Sequence, residues 1–247
     1  MKSILFCGND KVFDGMITTM LSIFKRSISE EGIRFYIFTM DLTRLKADYT
    51  ALSDRQIGFL DELAKSYNPE HSVVKIDVTD TYEKEFALCP NEGCYCSPYT
   101  LIRLFADMEP RIPEKFLYLD IDLLFNRDID LLWNTDIEGY EYAASRDHYG
   151  KFLIHPNFIN AGVLLFNMKK CRETGLFEKS RKLIKTKKLT FADESAIIRS
   201  TVRKKILSQR FNDQKFLYRN TVIRHFSRRL FWLPYPHVEN IKQWEIT

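Results

Sequence analysis

The chain has 247 residues, 45% of them hydrophobic, and 37 Lys and Arg against 33 Asp and Glu give a formal net charge of +4. That length supports one sizeable core and no linker-like stretch divides it, so a single domain over 1–247 is expected. The charge is too small to argue for nucleic acid, no stretch approaches the span of a membrane helix, and five cysteines, an odd number, fit reduced thiols better than a disulfide framework.

SILFCG at 3–8 is a short apolar run ending in small residues and reads as a strand; it is too short for a signal peptide, which points to the cytoplasm. An amphipathic segment at 14–26 predicts a helix. IRFYIFTM from Ile33 predicts a second strand, SDRQIGFLDELAKSY a helix capped by Ser53, and HSVVKIDV from His71 a third strand. This alternation argues an α/β fold with a mostly parallel central sheet and helices on both faces. Cys89, Cys94 and Cys96 cluster in CPNEGCYC, where Pro90, Gly93 and Pro98 mark a loop; a zinc site needs a fourth ligand at recognisable spacing, and none lies nearby. SPYTLIRLFADM from Ser97 predicts the helix that leads into KFLYLDIDLLF at 115–125. Next come a segment at 140–145, FINAGVLLFNM from Phe158, a basic helix reaching about Lys188 and a short helix opening near Asp193. The late basic runs, KKCRETGLFEKSRKLIKTKK from Lys169, RKK at Arg203 and SRR at Ser227, read as solvated helix faces or as a surface for an anionic substrate or membrane. The tail is irregular and aromatic.

Within KFLYLDIDLLF, Asp120 and Asp122 interrupt an apolar run. Residues two apart on an extended chain point the same way, so the two carboxylates share a face if the strand continues past Leu119. At a separation of about 4 Å and an effective dielectric near 20, their repulsion is roughly 4 kcal/mol. A divalent metal held through oxygen ligands relieves it; a solvated turn with both groups in water is the alternative. In such a sheet, ligands gather outside the carboxyl ends of the strands, which brings Gly8, Asn9 and Asp10 beside the pair. The first strand carries neither G-x-G-x-x-G nor a Walker P-loop, so bound phosphates would need a metal and basic groups, with His225, Lys242 and Arg103 as candidates.

Several blocks stand in one order: YLDIDLLFNRDIDLLW at 118–133, ASRD at 144–147, NFINAGVLLFNMKKCRE at 157–173, FADESAI at 191–197, and a final RHFS with NIKQW. Together they resemble the retaining glycosyltransferases of family 8, of the bacterial lipopolysaccharide galactosyl- and glucosyltransferase kind, over nearly the whole chain. The resemblance implies a GT-A fold, a UDP-glucose or UDP-galactose donor, Mn2+ (with Mg2+ as a substitute) bridging its diphosphate, and a glycan or lipid-linked acceptor. It implies Asp120, Asp122 and His225 as metal ligands. Cys7, Gly8, Asn9 and Lys11 match the loop under the base and ribose. Arg103, Ile121, Asn160 and Ala161 match further donor contacts, and Lys242 the lysine on the diphosphate. Asp147, Asp193 and Glu194 match the positions around the reacting sugar. The sequence departs from the family pattern at Asn9 and Lys11, where many members have Asp and Asn. It departs also at Glu194 and Ser195, in place of Gln and Asp, and at Gln243, where Pro usually stands between Lys and Trp. The tail at 226–247 is expected to close over the donor, and its Arg228, Arg229, Phe231 and Trp232 to rest on an anionic membrane. Loops at 90–97 and 149–156 flank the sugar pocket, where acceptor choice should be made.

Two other classes share part of the signal. An apolar strand ending in Asp-x-Asp also opens the motif of haloacid-type phosphohydrolases, but the Thr or Val-Gly-Thr context after Asp122 is absent. A catalytically idle nucleotide-sugar-binding module accounts for Glu194 and Ser195.

Overall fold

The first strand, β1 (Lys2–Cys7), is buried along its whole length, as a parallel strand with both faces covered must be. The computed structural model describes residues 1–93 and 97–226. After β1 come α1 (Phe13–Arg26), β2 (Ile33–Thr39), α2 (Asp54–Tyr67), β3 (Ser72–Asp77), α3 (Thr79–Phe86) and a 3-10 helix (Pro98–Phe105). The chain continues through β4 (Lys115–Leu119), β5 (Leu123–Phe125), α4 (Asp130–Trp133), β6 (Tyr142–Ser145), α5 (Gly150–Leu153) and β7 (Val163–Asn167). Last are α6 (Met168–Thr174), α7 (Leu176–Thr186), α8 (Ala192–Ser200), β8 (Lys204–Leu207) and β9 (Ile223–His225).

Local chemistry explains the early elements. In α1, Met16, Thr19, Met20, Ile23 and Phe24 are buried, a spacing of three and one that draws a single stripe along a helix. Ser53 caps α2 through a capping box: its hydroxyl accepts from the Gln56 N–H at 3.3 Å, and the Gln56 side chain accepts from the Ser53 N–H at 2.9 Å. Such a cap contributes about 1 kcal/mol.

Seven strands form one sheet in the order β3-β2-β1-β4-β7-β6-β8. β7 runs antiparallel to both its neighbours, and the other pairings are parallel. Alternation along the strands sorts residues between two cores. Leu5, Tyr36, Phe38, Phe116 and Tyr118 pack with the 3-10 helix, α3, α7 and α8. Ile4, Phe6, Phe35, Ile37, Leu117 and Leu119 pack with α1 and α2. The order reverses at β1, which has β2 on one side and β4 on the other, so the chain leaving β1 and the chain leaving β4 emerge together.

Three expectations are corrected. The run at 115–125 is not one strand. β4 ends at Leu119, the chain bends through Asp120, Ile121 and Asp122, and β5 joins a separate two-stranded sheet with β9. The bend is held from α1, whose Thr19 hydroxyl donates to the Leu123 carbonyl at 3.0 Å and whose Gly15 leaves room for the Ile121 carbonyl, 2.7 Å from where a Cβ would stand. The segment at 98–105 is a 3-10 helix rather than an α-helix, opened by Pro98 and the Ser97 cap. The basic run after Lys169 forms two helices, because Gly175 adopts a left-handed conformation (φ 68°) that ends α6.

His71 opens a prediction about stability. Its ring is buried against Phe24, and its Nδ1 accepts the Ile33 N–H at 2.9 Å. Burial, and then the charge of Lys2, hold its pKa below the ordinary imidazole value. A proton therefore binds the unfolded chain first as pH falls. Stability is full above the unfolded-state value of about 6.5 and is lost progressively as pH falls below it and through the lower folded-state value. Urea unfolding at pH 7.5 and 5.5 should show this loss, and His71→Asn, which keeps an acceptor for Ile33, should remove part of it. An unchanged slope in the variant would assign the loss elsewhere, with His148 the next histidine whose pKa burial lowers.

Candidate active site

Past the end of β4, the Asp120 N–H donates to the Gly162 carbonyl at 2.8 Å, which ties the bend to the chain entering β7. β9 pairs with β5 in the register Leu123↔His225, and the Phe226 N–H donates to the Asp122 carbonyl at 3.0 Å. These backbone contacts carry His225, remote in sequence, onto the two aspartates. One ligand atom from each of Asp120, Asp122 and His225 lies within 4.8 Å of the others. The His225 Nε2 is 3.1 Å from Asp122 Oδ1 and 3.7 Å from Asp120 Oδ2. Gly162 makes this approach possible: a Cβ there would stand 2.3 Å from His225 Cε1 and 2.8 Å from Asp120 Oδ2.

The donor set fits a divalent ion. Adjacent ligands of an octahedral ion bound at about 2.1 Å are about 3 Å apart, close to the imidazole–carboxylate spacing. Two carboxylates with one imidazole make an oxygen-rich, moderately hard donor set.

Behind the aspartates lies Arg103, with 1% of its surface exposed. Its Nη2 donates to Asp120 Oδ1 at 3.1 Å and its Nη1 to the Ala161 carbonyl at 2.6 Å, while the guanidinium covers the Tyr118 ring at 3.8 Å. The Tyr118 hydroxyl also donates to Asp120 Oδ1, at 2.6 Å. Burial keeps that phenol well above its ordinary pKa, so it remains a donor. One oxygen of Asp120 is thus held by Arg103 and Tyr118, and the other faces His225. Arg103 is a buried strut of the site.

Two carboxylates come from the first turn of α8, both buried. Glu194 Oε2 accepts the Ala161 N–H at 2.9 Å, so Glu194 and Arg103 grip the N–H and carbonyl of the same residue. Asp193 lies 3.3 Å from Arg103 Nε, yet neither of its oxygens receives a hydrogen bond among the described residues. Asp193 is a buried partner of the Arg103 guanidinium.

Asp147 and Asn160 form the other wall. Asp147 accepts four hydrogen bonds, from the Tyr149 and Gly150 N–H groups and from the Asn160 and Gln214 amides, which fills its acceptor capacity. It organises the loop that opens α5. Cys7, Gly8 and Asn9 lie where β1 ends, all buried, and burial pushes the Cys7 thiol far above its usual pKa and leaves it inert. A Cβ on Gly8 would stand 2.4 Å from Val12 Cγ2, so packing against the next turn already accounts for that glycine. Lys11, exposed, pairs with Asp48 at the rim. Ile121 packs against the α1 side of the core. Lys242, the tail at 227–247, and Cys94 and Cys96 lie outside the described residues.

Sequence reasoning missed Tyr118, Asn212 and Gln214. Their signal was a polar group inside a strand end and the polar trio Asn212-Asp213-Gln214 in an irregular segment, neither of which has a periodicity to mark it.

A mostly parallel sheet with a carboxylate pair at its reversal point and a histidine brought beside it from late in the chain has the GT-A architecture. A sequence profile described as glycosyl transferase family 8 matches residues 3–221, and the chain belongs to that family. Its fold matches that of the galactosyltransferase LgtC, solved with donor and acceptor sugar analogues, at a TM-score of 0.72 and 18% identity over 98% of this chain and 94% of that one. It also matches the glycosyltransferase GlyE of Streptococcus pneumoniae TIGR4, at a TM-score of 0.72 and 15% identity over 100% of this chain and 61% of that one. A curated protein of Haemophilus influenzae that carries a provisional glycosyltransferase name is 27% identical over 188 residues, 72% of this chain. The chain spans about half, 52%, of that relative's length.

Proposed function

We propose that this chain transfers a hexose, glucose or galactose, from a UDP-sugar to a glycan or lipid-linked acceptor with retention of configuration. The observation that carries the proposal is the convergence of Asp120, Asp122 and His225 at the reversal point of the sheet. These three would hold Mn2+, or Mg2+ in its place, and the bound ion would offset the charge that develops on the departing diphosphate. Asp193, which pairs with Arg103, is assigned to the donor-sugar side by resemblance alone. In the reaction the bond from the anomeric carbon to UDP breaks, the acceptor oxygen bonds to that carbon, and the acceptor proton passes to the departing phosphate. Lys242 is assigned to the diphosphate by resemblance alone.

The test is UDP release from UDP-glucose or UDP-galactose with Mn2+, beside phosphate release from a generic phosphoester. UDP release that chelator stops is expected. Phosphate release alone would favour a phosphohydrolase, and nucleotide-sugar binding without turnover an idle module.

The acceptor side supports a lipid-linked substrate. No described helix is long and apolar enough to cross a membrane. Beside Asp147, however, Phe152, Leu153 and Ile154 are consecutive and 77%, 72% and 54% exposed. The neighbouring loop adds Leu217 and Tyr218, each 57% exposed, with Lys151 over the Phe152 ring and Lys215 by the rings of Tyr149 and Phe216. Neither 148–158 nor 214–226 contains an acidic residue. An exposed apolar run set among lysines matches an anionic lipid surface. The membrane contact expected of the tail has this second candidate at the rim of the site. Exchanging both Phe152 and Leu153 for Ser should release the protein from sedimenting phosphatidylglycerol vesicles. Equal sedimentation of the double variant would clear this rim of the role.

A further inference from the structure

We infer that Asn212, a residue outside the ligand set, fixes which nitrogen of His225 faces the carboxylates. The inference rests on the metal-site reading above and follows from a chain of hydrogen bonds in which each atom's identity determines the next. The Gly162 N–H can only donate, so the Asn160 atom 3.0 Å from it is the carbonyl oxygen. That same oxygen lies 2.8 Å from the Asn212 side chain, so the Asn212 atom facing it is the amide nitrogen. The other Asn212 atom is then its oxygen, and it lies 3.0 Å from His225 Nδ1. An oxygen there accepts, so Nδ1 carries the proton. In a neutral ring the lone pair is then on Nε2, the atom turned to Asp120 and Asp122 and the one that would meet a cation there.

The relay is buried throughout: Asn212 has no exposed surface, and Asn160 and His225 have 5% and 2%. Its amides have no room to swap ends, because a flip of either would set oxygen against oxygen or nitrogen against N–H. Asn212 is itself placed by backbone. The Asp213 N–H donates to the Ile223 carbonyl at 2.9 Å and the His225 N–H to the Asp213 carbonyl at 2.9 Å, so the segment after Phe211 runs alongside β9. The far end reaches Asp147 through the Asn160 amide at 3.2 Å. Asn212 is therefore a positioning residue that joins the sugar-side wall to the metal-side histidine. A group that orients a ligand imidazole through its other nitrogen typically changes metal affinity 10–100-fold, roughly, when removed.

The test needs no sugar. Calorimetry with Mn2+ alone should show affinity about 10–100-fold weaker in Asn212→Leu than in the parent. In the parent loaded with diamagnetic Mg2+, 15N-edited spectra should show a slowly exchanging proton on His225 Nδ1, since that position is buried and hydrogen-bonded. This second readout stands even if the variant fails to fold. Mn2+ affinity within twofold of the parent in a folded Asn212→Leu protein, or an unprotonated Nδ1 in the Mg2+-loaded parent, would overturn the inference while leaving the metal site standing. A parent that binds no Mn2+ at all would overturn both.

Discussion

Asp122→Asn should abolish Mn2+-dependent UDP binding and leave the fold intact. Asp122 is the better of the two aspartates to change. Its side chain is 36% exposed and its partner is the imidazole 3.1 Å away, so an amide there removes charge without depriving the buried guanidinium of Arg103 of a carboxylate. Asp120 is different, because its oxygen is held by the buried guanidinium of Arg103 and by the Tyr118 hydroxyl. Loss of that carboxylate leaves a buried cation short of a partner, and breaking a buried pair costs about 3–5 kcal/mol. Loss of a direct ligand should exceed the effect of an orienting group, so UDP affinity in Mn2+ should fall by at least about 100-fold. Calorimetry with and without chelator reads this directly. Unchanged UDP binding in the variant, or equal binding by the parent in excess chelator, would remove the metal assignment. Asp120→Asn should lower both the unfolding midpoint and UDP affinity, which separates the ligand role from the structural one.

Glu194→Gln should slow hexose transfer by about 10²–10³-fold, the range for loss of a preorganised electrostatic group. The proposed role puts this carboxylate near the anomeric carbon, where its charge would stabilise an oxocarbenium-like transition state. One reading of Glu194 ends with the fold, for it does not face solvent. Oε2 accepts the Ala161 N–H, a bond that fixes the direction of the carboxylate and takes up a lone pair that a nucleophile would use. We therefore expect no hexosyl adduct on the parent enzyme. Intact-protein mass spectrometry after rapid quench with donor alone checks this, and an adduct that disappears in Glu194→Gln would make Glu194 the nucleophile of a double displacement. Removal of a nucleophile costs on the order of 10⁴-fold or more, which sets the two cases apart by rate as well. Parental rates in both Glu194→Gln and Glu194→Ala would reduce the residue to a support for Ala161.

Much of the fold was legible because its signals are local. Apolar runs of strand length, a one-sided stripe in α1 and the Ser53 capping box each follow from a few neighbouring residues, and their alternation implies the parallel sheet. The elements that were not read include α3, α4, α5, β8 and β9, all short and without a repeating pattern long enough to mark them; β9 has only three residues and pairs with the edge that β5 offers. The resemblance likewise named Asp120, Asp122, His225, Arg103 and Glu194, but as positions in an order of blocks rather than as a geometry.

By itself the sequence determined the class of fold, the place where a ligand must gather and the residue types available there. Only the tertiary structure decided how those residues meet. The two aspartates converge through a bend and not along a strand, since α1 holds the Ile121 and Leu123 carbonyls and ends the ladder at Leu119. It also decided that Arg103 is a buried strut, that Asp147 is saturated with hydrogen bonds, and that Asn212 directs the imidazole of His225. Each of these rests on partners far apart in the chain, 52 residues between Asn160 and Asn212 and 58 between Arg103 and Ala161. No local periodicity encodes such pairings. They arise when buried polar groups, cut off from water, take whichever partners the packed strands bring within reach.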